Sequence, residues 1–179
     1  NHLNIRKTLN MKESYSSSDT ETLLFSFDKI GIEKTIKLCE GMFSFACWDT
    51  QVKELTLVRD RFGEKPLYYG FINKSFFFTS DLITLKQFSN FNKILDRDAI
   101  FLFFNYSYIP SPKSIFRDIA KLEAASILRL AKNSTDFKIE KYWSNDFNSK
   151  INKTSRYKES LDEASNHLEN LLYNKIQDQ

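Results

Sequence analysis

Residues 57–70 read Leu-Val-Arg-Asp-Arg-Phe-Gly-Glu-Lys-Pro-Leu-Tyr-Tyr-Gly: an apolar lead-in, five charges among seven residues around Gly63, and an aromatic run after Pro66. Two β-type runs separated by so charged a turn require a reason for the charges. Gly63 permits a positive φ, and Pro66 fixes the backbone at the start of the second strand. Arg59 and Asp60 are expected to form a buried, hydrogen-bonded pair that locks the connection. The same cluster, with Arg61, Glu64 and Lys65, also suits a loop that holds a carboxylate or a phosphate. On the residues alone the architectural role of Arg59, Asp60, Gly63, Lys65 and Pro66 is favoured.

Working outward, "MFSFACWDT" (42–50) and "KELTLVRD" (53–60) precede this turn, and "PLYYGFI" (66–72) and "SFFFTS" (75–80) follow it. Each is a short β-rich run, and Asn73-Lys74 is a two-residue hairpin signal. Four strands in close succession predict an antiparallel meander. Upstream, Ser18 is placed to cap a helix over 19–30, with Glu21 reaching back to the cap amide. A shorter helix, "EKTIKLCEG", ends at Gly41. Downstream, "DLITLKQFS", capped by Ser80, and "DRDAIFLFFNY" are expected as helices on the sheet. "YIPSPKSIF" is a proline-broken connector, and "ASILRLA" with "FKIEKYW" forms another hairpin. A polar stretch without periodicity follows Trp143. From Tyr157, Leu161, Ala164, Leu168, Leu171 and Leu172 recur at helical spacing, predicting a helix that docks on something beyond Gln179.

The chain has 179 residues, 41% of them apolar, with 17 Phe and 8 Tyr, enough for one domain and part of a second. Its 26 basic and 23 acidic residues leave a net charge of +3 and alternate in sign. That pattern argues against nucleic acid and against a membrane surface as partners. No stretch has transmembrane length. Cys39 and Cys47 lack a paired spacing and read as buried thiols, which suits a reducing cytoplasm. His2 and His167 read as solvated, no metal-ligand spacing appears, and four glycines are too few for a glycine-rich phosphate cradle. Asp19, in the first turn of a helix, either stabilises the helix dipole, by about 0.3–1 kcal/mol, or grips an ammonium group as a rigid acceptor.

In this order and spacing "SDTETLL" (18–24), "EGMFSFACWD" (40–49), "RDRFGEKPLYYG" (59–70) and "YIPSPKSIF" (108–116) resemble the glutamine-hydrolysing asparagine synthetases. The resemblance implies an α+β fold: a class II glutamine amidotransferase domain of the N-terminal-nucleophile type, a four-layer αββα sandwich, here partial. Phosphoribosylpyrophosphate and fructose-6-phosphate amidotransferases share that domain and rank second. One departure is "KLEAAS" (121–126), where the family commonly has a Pro-Pro-Gly turn.

The implied activity of the parent is hydrolysis of glutamine at an N-terminal cysteine. The ammonia is carried through a tunnel to amidate aspartate by way of β-aspartyl-AMP, with ATP and Mg as cofactors. Asp19 matches the aspartate that binds the α-amino group of glutamine, and Met42, in Gly41–Phe43, is a candidate for lining the tunnel. Residue 1 is Asn, not Cys, so no catalytic residue is assigned and the chain itself is expected to be inactive. The implied organisation is a glutaminase portion over 1–145, a linker over 146–156, and the first helix of a synthetase domain over 157–179. The implied partners are glutamine, aspartate, ATP, the chain's own synthetase domain and, as a possible assembly, a homodimer. Two other readings are a related ligase, for example one amidating a sugar in polysaccharide synthesis, and a non-catalytic module on the same fold.

Overall fold

The computed structural model describes residues 1–11, 16–89, 91–144 and 160–177. The chain divides into two compact units, residues 1–41 with 145–179, and residues 42–144. The linker expected over 146–156 lies outside the described residues, as do residues 157–159, where the last helix was expected to begin.

The first unit is helical: α1 (His2–Thr8), α2 (Asp19–Ile30), α3 (Ile32–Leu38) and α5 (Leu161–Gln177). Helix α2 has the predicted bounds, and its amide at Thr20 donates to the Ser18 hydroxyl at 3.1 Å. Gly31, at φ 82°, ends α2 and starts α3; helix α3 stops at Cys39, before the expected Gly41. Helix α1 was not anticipated, because seven residues with a single buried side chain, Ile5, give no readable period.

The second unit holds both sheets. Strands β1 (Ser44–Asp49), β2 (Glu54–Arg59), β6 (Ser126–Ala131) and β7 (Phe137–Lys141) form one antiparallel sheet in the order β1-β2-β6-β7. Strands β3 (Tyr68–Ile72), β4 (Ser75–Thr79) and β5 (Ile119–Lys121) form a second, in the order β4-β3-β5. The predicted single meander is therefore corrected. Strands β1 and β2 form one hairpin and β3 and β4 another, but β2 and β3 belong to different sheets. The hairpin turns have local causes. Asp49 accepts from the amides of Gln51 and Val52 at 2.8 and 3.0 Å, and Asn73 and Lys74 both take positive φ, as a two-residue primed turn requires.

Alternation along the strands builds the core. Leu57 of β2 and Leu128 and Leu130 of β6 meet Leu67, Tyr69 and Leu122, so residues from both sheets share one apolar cluster. The neighbours of Tyr69 face the other way: Tyr68 and Ile72, with Phe77, pack on Leu85 and Leu82 of a 3-10 helix, η1 (Leu82–Gln87), and on Phe91 and Ile119. The segment expected as a regular helix is thus a tighter turn, and its cap is Asp81, which accepts from the Ile83 amide at 2.8 Å, and not Ser80. Helix α4 (Arg97–Tyr106) is capped by Asp96, whose carboxylate accepts from the amides of Asp98 and Ala99. In "KLEAAS", Ala125 takes φ 56°, the left-handed region that glycine enters freely.

Candidate functional site

The charged turn between β2 and β3 carries the chain from one sheet to the other, and the side chains at its base are buried. Arg59, at the end of β2, donates from Nε to the Lys65 carbonyl at 2.8 Å, and from its two terminal nitrogens to the carbonyls of Leu122 and Gly63, both at 2.5 Å. A longer bond, 3.3 Å, reaches the Ser111 hydroxyl. Asp60 has no solvent exposure. One carboxylate oxygen accepts from the amides of Phe62 and Glu64 at 3.1 and 3.0 Å, and the other from Lys65 at 3.0 Å.

The expected direct pair is corrected. Arg59 and Asp60 bond the loop's backbone and not each other, the cation taking carbonyls and the anion taking amides. Burial pushes the Arg59 guanidinium below its ordinary pKa while the neighbouring Asp60 charge opposes that shift. Backbone bonds extend the knot: Asp60 donates to the Phe43 carbonyl at 2.9 Å, and its own carbonyl accepts from Ala125 at 2.8 Å. The Tyr142 hydroxyl donates to the Arg59 carbonyl at 3.1 Å. Gly63, at φ 67°, lies against the guanidinium, and a Cβ there would sit 3.0 Å from Arg59 Cζ and 3.2 Å from Ala124 Cβ.

Arg59 and Asp60 are buried and direct their hydrogen bonds mainly to the backbone that turns around them, so these two side chains tie the crossover between the sheets. The side chains of Phe62, Glu64, Lys65 and Pro66 are exposed, and Phe62 meets Trp143 edge-on at 5.5 Å.

Asp19 stands at the first position of α2 and is exposed. Its carboxylate accepts one weak bond, from the Thr20 hydroxyl at 3.4 Å, so three of its four lone-pair positions remain available among the described residues. The surrounding backbone is fixed by Arg6 of α1. That side chain donates to the Thr22 hydroxyl at 2.6 Å, the Ser18 carbonyl at 2.7 Å, the Ser16 carbonyl at 3.0 Å and Glu21 at 3.2 Å. Contrary to the expectation of a reach back to the cap amide, Glu21 does not accept from Ser18, whose amide donates to the Ser16 hydroxyl at 3.1 Å. Glu21 accepts from the amide and hydroxyl of Ser16 and from Arg6. The role of Arg6 was missed, and no local pattern announces it, since its partners begin ten residues away. Met42 is exposed, beside Gly41 at φ 97°.

Neither cysteine is poised as a nucleophile. Cys39 is buried, and burial first and Asp49 second push the Cys47 thiol above its ordinary pKa. A cavity of about 650 Å³ in the second unit is lined by Tyr69, Phe71, Phe137, Lys113, Arg117 and Asp118, among others. Lys113 there is bonded to Asp96 at 2.8 Å and Asp98 at 3.3 Å. Among the described residues no helix is long and apolar enough to cross a membrane, and no group of three or more His, Cys, Asp or Glu is arranged to hold a metal ion.

The model of the glutamine amidotransferase domain matches residues 1–143. The chain belongs to that family. It is 32% identical over 145 residues to a putative glutamine-hydrolysing asparagine synthetase 2 of Methanocaldococcus jannaschii, covering 80% of this chain and 28% of that protein. It is 33% identical over 128 residues to glutamine-hydrolysing asparagine synthetase 1 of Bacillus subtilis, covering 70% and 20%. The chain thus spans about a quarter of the length of these curated relatives. Among solved structures it is similar to glutamine phosphoribosylpyrophosphate amidotransferase of B. subtilis, with a TM-score of 0.54, 16% identity, 80% of this chain and 27% of that one. The stacked antiparallel sheets are those of a partial N-terminal-nucleophile amidotransferase fold.

Proposed function

We propose that this chain is the glutamine-recognising part of an ATP-dependent ligase that amidates aspartate to asparagine; in support, relatives it resembles are named glutamine-hydrolysing asparagine synthetases. The observation that carries the reading is Asp19: an exposed carboxylate with unused acceptor positions, on a helix start held by four Arg6 hydrogen bonds. A fixed anion of this kind suits the α-ammonium of an amino acid. The base of the crossover loop is held by the Arg59 and Asp60 hydrogen bonds and presents Phe62 outward. We assign that surface to contact with the ligase portion of the parent.

The chemistry of hydrolysis is assigned to residues outside this chain. With Cys39 buried and Cys47 pushed up in pKa, the chain supplied with glutamine is expected to release no ammonia above background. The nucleotide and its Mg2+ belong to the parent's remaining length. When bound, they would activate the acceptor carboxylate by adenylation.

The decisive experiment uses the extended reading frame. The parent is expected to form asparagine from aspartate, ATP and glutamine. Asp19→Asn is expected to raise KM for glutamine by about tenfold or more, an ionic hydrogen bond having been lost, while synthesis from free ammonia is retained. A parent that amidates a different acceptor, or an Asp19→Asn variant with unaltered glutamine KM, would refute the assignment.

A further inference from the structure

Arg6 reaches out of a short helix to hold a segment that begins ten residues away. Its Nε donates to the Thr22 hydroxyl, and its terminal nitrogens donate to the carbonyls of Ser16 and Ser18 and to a Glu21 carboxylate oxygen. These partners lie on both sides of Asp19 in the chain. A planar, forked guanidinium sets the direction as well as the length of each bond, so Ser16, Ser18, Glu21 and Thr22 are held in one arrangement around a single side chain. Hydroxyls complete the turn from within. The Ser18 amide donates to the Ser16 hydroxyl and the Thr20 amide to the Ser18 hydroxyl, both at 3.1 Å, and the hydroxyl of Thr22, a buried residue, donates to the Ser18 carbonyl at 3.3 Å.

The two carboxylates of this turn have different employment. Glu21 is the counter-ion of Arg6, with 22% of its side chain exposed against 14% for the arginine, so the pair is only weakly screened by solvent. It also accepts from the amide and hydroxyl of Ser16. Asp19 is exposed and accepts only from the Thr20 hydroxyl, at 3.4 Å. Residues two apart on a helix do not face one another, so α2 turns Glu21 to the guanidinium and Asp19 away from it. Were Arg6 paired with Asp19, an incoming ammonium would have to displace a cation already bound. With Glu21 in that place, Asp19 keeps its charge for the ligand.

We propose that Arg6 is the positioning residue of the ammonium site. Through the backbone of residues 16–22 it fixes where the Asp19 carboxylate stands, and through Glu21 it is kept from neutralising that carboxylate. Arg6 acts through these residues and is assigned no contact with the ligand. This role rests on the reading of Asp19 as the group that holds the α-ammonium of glutamine.

The test is the steady-state kinetics of glutamine-dependent asparagine synthesis by the parent enzyme. Arg6→Met removes every donor and is expected to raise KM for glutamine about tenfold or more, with kcat within about twofold, because a displaced anchor weakens binding without touching the reacting groups. Arg6→Lys keeps the charge and loses the fork; it is expected to raise KM about threefold, and it decides the matter if Arg6→Met does not fold. Glu21→Gln deprives the guanidinium of its counter-ion and is likewise expected to raise KM about threefold or more. Arg6→Lys added to Asp19→Asn should change KM by less than about twofold beyond Asp19→Asn alone, whereas an arginine that only stabilises the fold would multiply the two effects. Where Asp19→Asn itself raises KM, an unaltered KM in both Arg6 variants or in Glu21→Gln, a fall in kcat at unaltered KM, or multiplied effects in the double variant overturns the proposal. An Asp19→Asn variant without effect refutes the glutamine reading, and the role of Arg6 falls with it.

Discussion

Arg59 commits its guanidinium to three carbonyls of the chain that turns around it, those of Gly63, Lys65 and Leu122. Its removal leaves the Leu122 carbonyl buried without that donor, strips the part-buried carbonyls of Gly63 and Lys65, and leaves the Asp60 charge in the same low-dielectric setting. Arg59→Ala is therefore expected to cost about 3–5 kcal/mol, read as a fall in the urea midpoint at unchanged slope. A loss under 1 kcal/mol would mean that water replaces the guanidinium. Asp96 gives a pH signature of known sign. Its hydrogen bond from Lys113, then the amides of Ala99 and Asp98, hold its pKa below the ordinary value. A depressed carboxylate contributes stability that is present above the unfolded pKa, about 3.9, and lost as pH falls through the folded value. Lys113, raised by Asp96 and then Asp98, contributes stability that is present below its unfolded pKa of about 10.4. That part is lost as pH rises through the folded value. Urea midpoints measured across pH should show the acid limb flattened in Asp96→Asn and the alkaline limb flattened in Lys113→Met.

At the scale of elements, Gly70 is the position where strand pairing leaves least room. A Cβ there would sit 2.6 Å from the Asp118 carbonyl and 3.1 Å from the Phe77 ring, at the register point where β3 faces Ile119 of β5. Since a backbone oxygen cannot swing aside, Gly70→Ala is expected to displace β5 and cost about 1–3 kcal/mol. Loss of amide protection confined to Ile119–Lys121 and its partners in β3 is the hydrogen-exchange readout. Strand β5 also marks what could be read from sequence and what could not. Helix α2 and the three hairpins are local objects, signalled by a cap, a two-residue turn or an alternating run, and they were legible within a residue or two. The three residues of β5, just after the proline-containing connector, carry no period; their strand character comes from Tyr68–Gly70 across the sheet. The same distinction explains the failed meander. Pairing within a hairpin is dictated nearby, whereas the sheet a hairpin joins depends on the Arg59–Asp60 knot and on Leu122 and Ala125, some sixty residues on. In the candidate site, Asp19 was legible as a first-turn carboxylate, but the Arg6 bonds that fix its backbone were not, because they cross between helices.

At the scale of the whole second unit, the two sheets share a core and should lose it together. Leu57, Leu128 and Leu130 from one sheet and Tyr69 from the other belong to a single buried cluster, with Leu67 and Leu122, just outside β3 and β5, beside them. The chain passes between the sheets through a turn whose buried ions are satisfied only while both are in place: Asp60 by the loop amides, its carbonyl by Ala125, Arg59 by Leu122. Opening one sheet therefore exposes the inner face of the other and strips partners from buried charges. That coupling makes an intermediate with one sheet intact costly, and unfolding of residues 42–144 should be all-or-none. Leu128, in the central strand β6 and without exposure, is the sharpest probe. Leu128→Ala is expected to cost about 2–5 kcal/mol through lost burial and a residual cavity. The amides of Val58 and Leu128 in one sheet, and of Tyr69 and Phe78 in the other, should then lose protection by the same free energy. If the second pair kept its wild-type protection while the first lost it, the sheets would be separate cooperative units, and the crossover loop would join them without coupling them.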